Sequence, residues 1–378
     1  MAVSFLKSYA RVAQVPVFVA IGPFMRDAVE DLFRDQQLVR ANSIRHASIL
    51  LVAGSLRDSD GEDIRRLHDQ MPHPRATIWW NADPDDGLAD PLIVDGKTDP
   101  KPIMIATFQD LIDARRPSEA DLLPDEPPNP WQGEGDYGQG GKGMMGGNPY
   151  GRPMAMTDDD LRDGLALDAY TAPFGPFLPM MPPGLQVSLT LQGDVIQSAK
   201  VIRSPFAQID NAAPNVGELR QLARFLRVLG LEPLADRCMD IAHDACMGKP
   251  TDAAPLRKLL RWSGARFAVP LGLGKLVDTD VRSRFETWLD AIDSVAHLEK
   301  APPRAPSKAA THRLVDLLKG LEWNEAVLVI NSFDSKALIA ISPVEDDDGG
   351  AHEGDSHTSH SANSEHAHSM HGDGASSG

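Results

Sequence analysis

Two cysteines, Cys238 and Cys246, stand in the whole chain, and their scarcity excludes a good deal. A disulfide framework needs several pairs, and a four-thiolate metal or iron–sulfur cluster needs four ligands. Neither can be built from this chain alone. The two lie eight positions apart in a helical pattern, on a similar face and about two turns distant, and read as buried thiols. Positive charge is also in short supply: 37 Lys and Arg face 54 Asp and Glu, for a net charge of −17. With no basic stripe evident to neutralise phosphates, nucleic acid is not an expected partner. About half of the excess is local, since Glu345 to Gly378 holds eight acidic residues and no Lys or Arg. Long apolar runs are missing too. None reaches the roughly 18 residues of a membrane-crossing helix, so no direct membrane span is expected. The early PVFVAIG run ends in Gly-Pro without a small-residue cleavage site. It reads as a buried strand rather than a signal segment, and a cytoplasmic location is expected.

What is present is ordinary for a globular protein: 42% hydrophobic and 24% charged residues in 378, enough for two domains with tails. Residues 1–123 alternate strand and helix signals. PVFVAI, SILLVAG, ATIWW and PIMIATF read as strands; MRDAVEDLFRDQQL, GEDIRRLHDQM and QDLIDARR read as helices. That order predicts an α/β domain of three layers, a parallel sheet with helices on both faces. Ligands of such folds bind beyond the strands' carboxyl ends. Those ends are Gly22-Pro23-Phe24, Gly54-Ser55-Leu56 and Trp80-Asn81-Ala82. Residues 124–157 are rich in Pro and Gly and read as a linker, or as a strap that carries Trp131, Tyr137, Met144 and Met145. The Gly run has no preceding strand and no Gly-Lys-Ser/Thr ending, so it is not a phosphate loop.

Residues 158–345 form the expected second domain, α+β and mostly helical. Thr157 reads as the N-cap of a helix in DDDLRDGLALD. GLQVSLTLQGDVIQSAKVI alternates on both sides of Gln192-Gly193-Asp194, a hairpin pattern. Helical periods run from Val216 to Lys319, broken by a Pro-rich hinge at 301–308, and EAVLVINSFDSKALIAIS reads as one or two closing strands. Residues 346–378 are low in complexity and expected to be disordered, with His352, His357, His360, His366, His368 and His371 among carboxylates. Imidazoles in that setting suit weak, adventitious nickel or zinc binding.

Three stretches carry a resemblance. Residues 46–75, HASILLVAGSLRDSDGEDIRRLHDQMPHPR, are similar to the cluster-bearing small subunit (the 20 kDa subunit family) of NADH:ubiquinone oxidoreductase, where a strand ending V-A-G precedes a helix with R-R-L-Y-D-Q-M-P-x-P. Residues 172–196 resemble the 49 kDa subunit, whose G-P-H-H-P-x-x-H-G segment precedes a hairpin. Residues 328–336, LVINSFDSK, resemble the S-F-D-P-C-x-x-C end of the hydrogenase large subunit. The chain therefore resembles a condensed fusion of two peripheral-arm proteins shared by respiratory complex I and the group-4 nickel–iron hydrogenases. The resemblance implies a flavodoxin-like N-terminal domain joined to a large-subunit-like domain. It also implies complex I-like membrane and peripheral subunits as partners, and attachment through them to the inner face of the cell membrane.

The departures from the family pattern bear on chemistry. At the family's cluster positions this chain carries Gly22, Pro23, Gly54 and Trp80, with no cysteine. Where quinone-facing histidines follow Gly175-Pro176, it carries Phe177 and Leu178. At the nickel end Asp334 remains, but Lys336 and Ile339 replace the cysteines. These positions read as vestigial, and no cofactor is expected. The leading expectation is a scaffold or coupling piece without iron–sulfur or nickel chemistry. Two alternatives are an oxidoreductase subunit that keeps a quinone pocket near Gly175–Gly184, and a metal-delivery protein using the histidine tail.

Other constellations are weaker. Ser55 lacks a G-x-S-x-G elbow. Asp58, Asp60, Glu62 and Asp63 read as a solvated helix start rather than a magnesium site. His68 and His73 read as surface imidazoles. A Cys238/His243/Cys246 metal site is conceivable from spacing alone, and Trp79 and Trp80 read as core or as cover for a partner.

Overall fold

A computed structural model describes residues 13–88, 90–124, 156–159, 166–208, 214–249, 251–276, 279–297 and 313–344. The linker aromatics Trp131 and Tyr137, Met144, Met145, the 301–308 hinge and all six tail histidines lie outside the described residues.

The first part is a parallel sheet of β1 (Val15–Ile21), β2 (Leu38–Arg40), β3 (Ile49–Ala53), β4 (Ala76–Trp80) and β5 (Leu92–Val94), in the order β2-β1-β3-β4-β5. Every pairing is parallel, with Val17 opposite Ile49 and Ala53 opposite Trp80. β3 and β4 are buried at every position, which fits strands covered on both faces. One face, with Val17, Ile21, Leu51, Ile78 and Trp80, is covered by α1 (Arg26–Leu32) through Val29 and Leu32, and by α3 (Lys101–Ile112) through Met104. The opposite face, with Phe18, Leu50, Val52 and Trp79, receives Ile64 of α2 (Gly61–Gln70) together with Phe177 and Phe206 from the second half of the chain.

The α/β expectation holds, with one element changed in type. PIMIATF is not a strand but most of the first two turns of α3. Its buried residues Met104, Thr107 and Leu111 recur every three or four positions, a helical stripe that a nearly continuous apolar run conceals. The two edges of the sheet are instead β2 and β5, three residues each.

The second part begins with an antiparallel sheet of β6 (Met156–Asp159), β7 (Ala166–Phe174), β8 (Gln186–Gln192) and β9 (Val195–Arg203), in sequence order. Thr157 does not cap a helix; it lies in β6 opposite Asp168. The expected hairpin is β8–β9, turning at Gly193-Asp194. Helices α4 (Pro214–Val228), α5 (Glu232–Cys246), α6 (Ala254–Ser263), α7 (Ala265–Ala268), α8 (Val281–His297) and α9 (Leu314–Leu318) follow. The closing segment is helical where strands were expected: α10 (Trp323–Asn331) and α11 (Ser335–Ile341). Ala326, Val327, Val329 and Ile330 are buried at helical spacing. Asp334 then restarts the chain as a helix by accepting the amide of Ala337 at 2.7 Å. A single apolar cluster joins β8 and β9 to the helices through Leu189, Ile196, Leu222, Phe225, Phe285 and Ile330. No helix among the described residues is long and apolar enough to cross a membrane.

Candidate functional site

The ends of β1, β3 and β4 converge. The amide of Gly22 donates to the carbonyl of Ala53 at 2.7 Å, and that of Gly54 to Trp80 at 2.9 Å. A Cβ on Gly22 would stand 3.0 Å from backbone atoms of Ala53 and Gly54. The sheet therefore closes tightly at the crevice between β1 and β3, where the direction of strand order reverses. Gly54, at φ +89°, leaves a gap that the side chain of Met25 fills. Phe24 and Asn81 also take left-handed backbone, at φ +61° and +52°, so all three strand ends break out of extended structure at one place.

The second half of the chain seals this edge. Gln208 donates from Nε2 to the Gly22 carbonyl at 3.0 Å and accepts the Arg26 amide on Oε1 at 3.2 Å. Its own amide donates to Ser335 Oγ at 3.2 Å, and Phe24 donates to the Ala207 carbonyl at 3.0 Å. Arg57, just beyond β3, lays its guanidinium 4.1 Å from the Phe206 ring centre and donates to the carbonyls of Gly184 (3.1 Å) and Ser204. Burial holds the Arg57 pKa below the usual arginine range. Arg203 bonds Asp60 at 2.9 Å and Asp63 at 2.5 Å. Burial nevertheless raises the Asp60 carboxyl above its ordinary range, against the pull of Arg57 and Arg203.

Most of the positions that the resemblance singles out lie along one seam. Gly22, Pro23, Gly54 and Trp80 lie at the strand ends. Gly175, in left-handed backbone at φ +98°, leads into Pro176 and Phe177, and Phe177 is buried on the sheet with Phe18, Trp79 and Phe206. Asp334 caps α11, and its neighbour Ser335 reaches Gly22 through Gln208; Lys336 is exposed. The space left between Phe18, Arg40, Ala41, Pro176, Phe177 and Met181 is about 50 Å³, on the scale of a few waters. The donor set decides what these residues fit. Backbone amides, carbon side chains and one helix-capping carboxylate offer neither thiolate nor imidazole, so they do not fit an iron–sulfur cluster or a nickel ion.

A second layer of the seam escaped sequence reasoning. Arg220, Arg224 and Arg227 of α4 face Asp27 and Glu30 of α1: Arg224 bonds Asp27 at 2.7 Å and Glu30 at 3.1 Å, and Arg227 bonds Glu30 at 3.4 Å. Arg220 bonds Asp27 as well. Burial alone would raise the Glu30 carboxyl; Arg224, Arg227, Arg40 and Arg26 together overcome it and hold it at about 2. Arg40 in turn is lowered to about 10 by burial. The signal was available: arginines at i, i+4 and i+7 on one helix, and acids at i, i+3 and i+4 on another.

His68 is another surprise. It is only 1% exposed, not a surface imidazole, and its Nδ1 and Nε2 face Asp69 (2.7 Å) and Glu119 (3.2 Å). Arg75, equally buried, donates to the carbonyls of Asp69 and Met71 and to the Asp121 carboxylate. His73 bonds Ser118 at 2.6 Å. The R-R-L-H-D-Q-M-P-H-P-R stretch therefore works as a clasp that ties residues 118–123 to α2. The conceivable Cys238/His243/Cys246 set is not assembled. Cys238 is buried, with its thiol pushed up to about 12 by burial, Cys246 is exposed, and His243 lies 3.4 Å from Asp31. Among the described residues no group of three His, Cys, Asp or Glu is placed to hold a metal. No protein-family model matches this chain, and no curated protein matches it.

Proposed function

We propose that this chain is a cofactor-poor relative of the peripheral-arm proteins of complex I and the group-4 nickel–iron hydrogenases. It serves as a scaffold or coupling piece in a membrane-associated oxidoreductase-type complex, on the cytoplasmic face and attached through complex I-like subunits. One observation carries the reading. The three stretches that hold the resemblance meet at a single seam, and at that seam glycine, proline, phenylalanine and lysine stand where the family has ligands. The strand order 2-1-3-4-5, with its switch between β1 and β3, supports a flavodoxin-like first domain. The roughly 50 Å³ beside Phe177 favours the scaffold over the quinone-binding alternative, because a quinone ring and tail need several times that volume.

The test is metal analysis and visible absorption of anaerobically purified protein, as the full chain and as a variant ending at residue 345. The expected result is a colourless protein whose metal content vanishes with the tail. Cross-linking in the native cell should join it to subunits of a membrane oxidoreductase. Stoichiometric iron or nickel with a charge-transfer band in the shortened variant would overturn the reading. So would a saturable quinone titration that depends on tail length.

A further inference from the structure

We propose that the outer face of residues 254–275 docks on an anionic lipid bilayer. The inference stands apart from the functional reading above and would hold for any activity. From Ala253 to Leu276 the chain carries Arg257, Lys258, Arg261, Arg266 and Lys275 and no acidic residue, in a protein whose net charge is −17. The whole-chain balance hides this basic run. α6 and α7 hold it in place by their inner face: Leu256, Leu260, Ala265, Val269 and Leu273 are all buried in the helical core. The outer face is the unusual one. Trp262 is 80% exposed, Phe267 84% and Leu271 75%, with Leu259 exposed one turn before Trp262. Gly264, at φ +75°, makes the turn between the two helices, and the Phe267 amide closes it on the Gly264 carbonyl at 2.8 Å.

Charge placement chooses the occupant. Arg266 pairs with Glu286 at 2.9 Å, but Lys258, Arg261 and Lys275 make no ion pair among the described residues. The cations alternate with the apolar groups along the chain: Lys258 beside Leu259, Arg261 beside Trp262, Arg266 beside Phe267. A protein-binding hot spot instead gathers its apolar anchors in a centre depleted of lysine and leaves the charge to a rim. A lipid surface presents phosphate and acyl chain within a few ångströms of each other. Tryptophan, phenylalanine and leucine interleaved with lysine and arginine match that boundary. Anionic headgroups would contribute about 1 kcal/mol for each cation, roughly a fivefold gain in partitioning. Repulsion from the acidic remainder of the chain is screened beyond about 8 Å at physiological salt.

The experiment is flotation of the full chain with vesicles of phosphatidylcholine containing phosphatidylglycerol, against phosphatidylcholine alone. Co-flotation is expected only with the anionic vesicles and should weaken as salt is raised. Lys258→Gln and Arg261→Gln should each lower the partition coefficient roughly fivefold, and Trp262→Ser combined with Phe267→Ser should lower it roughly tenfold or more. All four side chains are exposed, so melting temperatures should hold, which separates lost binding from lost folding. Absence of flotation with anionic vesicles would overturn the proposal, as would flotation that the double variant leaves unchanged. Self-association without lipid that the double variant abolishes would reassign the face to a second copy of the chain and overturn it too.

Discussion

At Gly175 a Cβ would stand 2.0 Å from the carbonyl oxygen of Leu185, on a backbone already at φ +98°. The other near atoms, Leu185 C and Gln186 Cα, are backbone as well, so relief requires the backbone to move. Gly175→Ala is expected to cost about 3 kcal/mol or more, read as a shift in the urea midpoint. Gly193 is the control: φ is +62° but nothing lies within 4 Å, so Gly193→Ala should cost only about 1 kcal/mol of left-handed strain. Equal losses at the two sites would refute the close-approach argument. Glu30 gives a pH dependence of definite sign. Its carboxyl sits at about 2 in the folded protein against an ordinary 4.5, so its stabilisation is fully present above 4.5. It is lost as pH falls from there toward 2, on the order of 3 kcal/mol in all. Glu30→Gln should flatten the stability–pH curve in that window. It should also cost about 3 kcal/mol near neutrality, because Arg224 and Arg227 lose a buried partner. An acid limb unchanged in Glu30→Gln would assign it to other carboxylates.

At the scale of the element, legibility followed burial pattern and length. β1, β3 and β4 were readable as short apolar runs, and the β8–β9 hairpin by alternation and its Gly-Asp turn. β2 and β5 were not, since three residues are too few for a period to show. The PIMIATF part of α3, and α10 with α11, were read as strands for a single reason: their apolar content is dense enough to fill both a strand's faces and a helix's stripe. What decides α10 is the reciprocal cap at its start, where the Glu322 amide donates to Glu325 at 3.1 Å. At the candidate site, the strand-end glycines were legible from position alone, whereas Gln208 and the α1–α4 charges were not, because each needs a partner some 180 residues or more away in sequence. The clasp on α2 has the same character. Asp69 accepts the amides of Leu122 (2.9 Å) and Leu123 (2.7 Å). Burial would raise its carboxyl, but these amides and His68 outweigh that and hold it below the usual range. Asp69→Asn should speed hydrogen exchange at Leu122 and Leu123 by roughly tenfold or more, with little change in β8 and β9. Exchange unaltered in the 118–123 segment would mean that Arg75 and Glu119 hold it without Asp69.

For the molecule as a whole, the seam joins two layers of different character. Near the strand ends it is apolar and backbone-bonded, through Phe177, Phe206, Arg57 and Gln208; along α1 it is ionic, through Arg220, Arg224 and Arg227. Both layers bury groups that could not be left unpaired, so separating the parts would expose apolar surface and strand charges at once. The parallel sheet also depends on the second half of the chain for cover, since Phe177 and Phe206 complete one of its faces. The two parts should therefore unfold in a single cooperative transition, with calorimetric and van't Hoff enthalpies equal. Arg224→Glu sets three acids against one another where Asp27 and Glu30 now meet a cation, at a cost of several kcal/mol. If the ionic layer is what couples the parts, that variant should show two transitions, with the sheet melting first because it loses both its cover and its charge partner. A single transition at lower temperature in Arg224→Glu would instead locate the coupling in the apolar layer, and Phe206→Ala would then be the substitution that splits it.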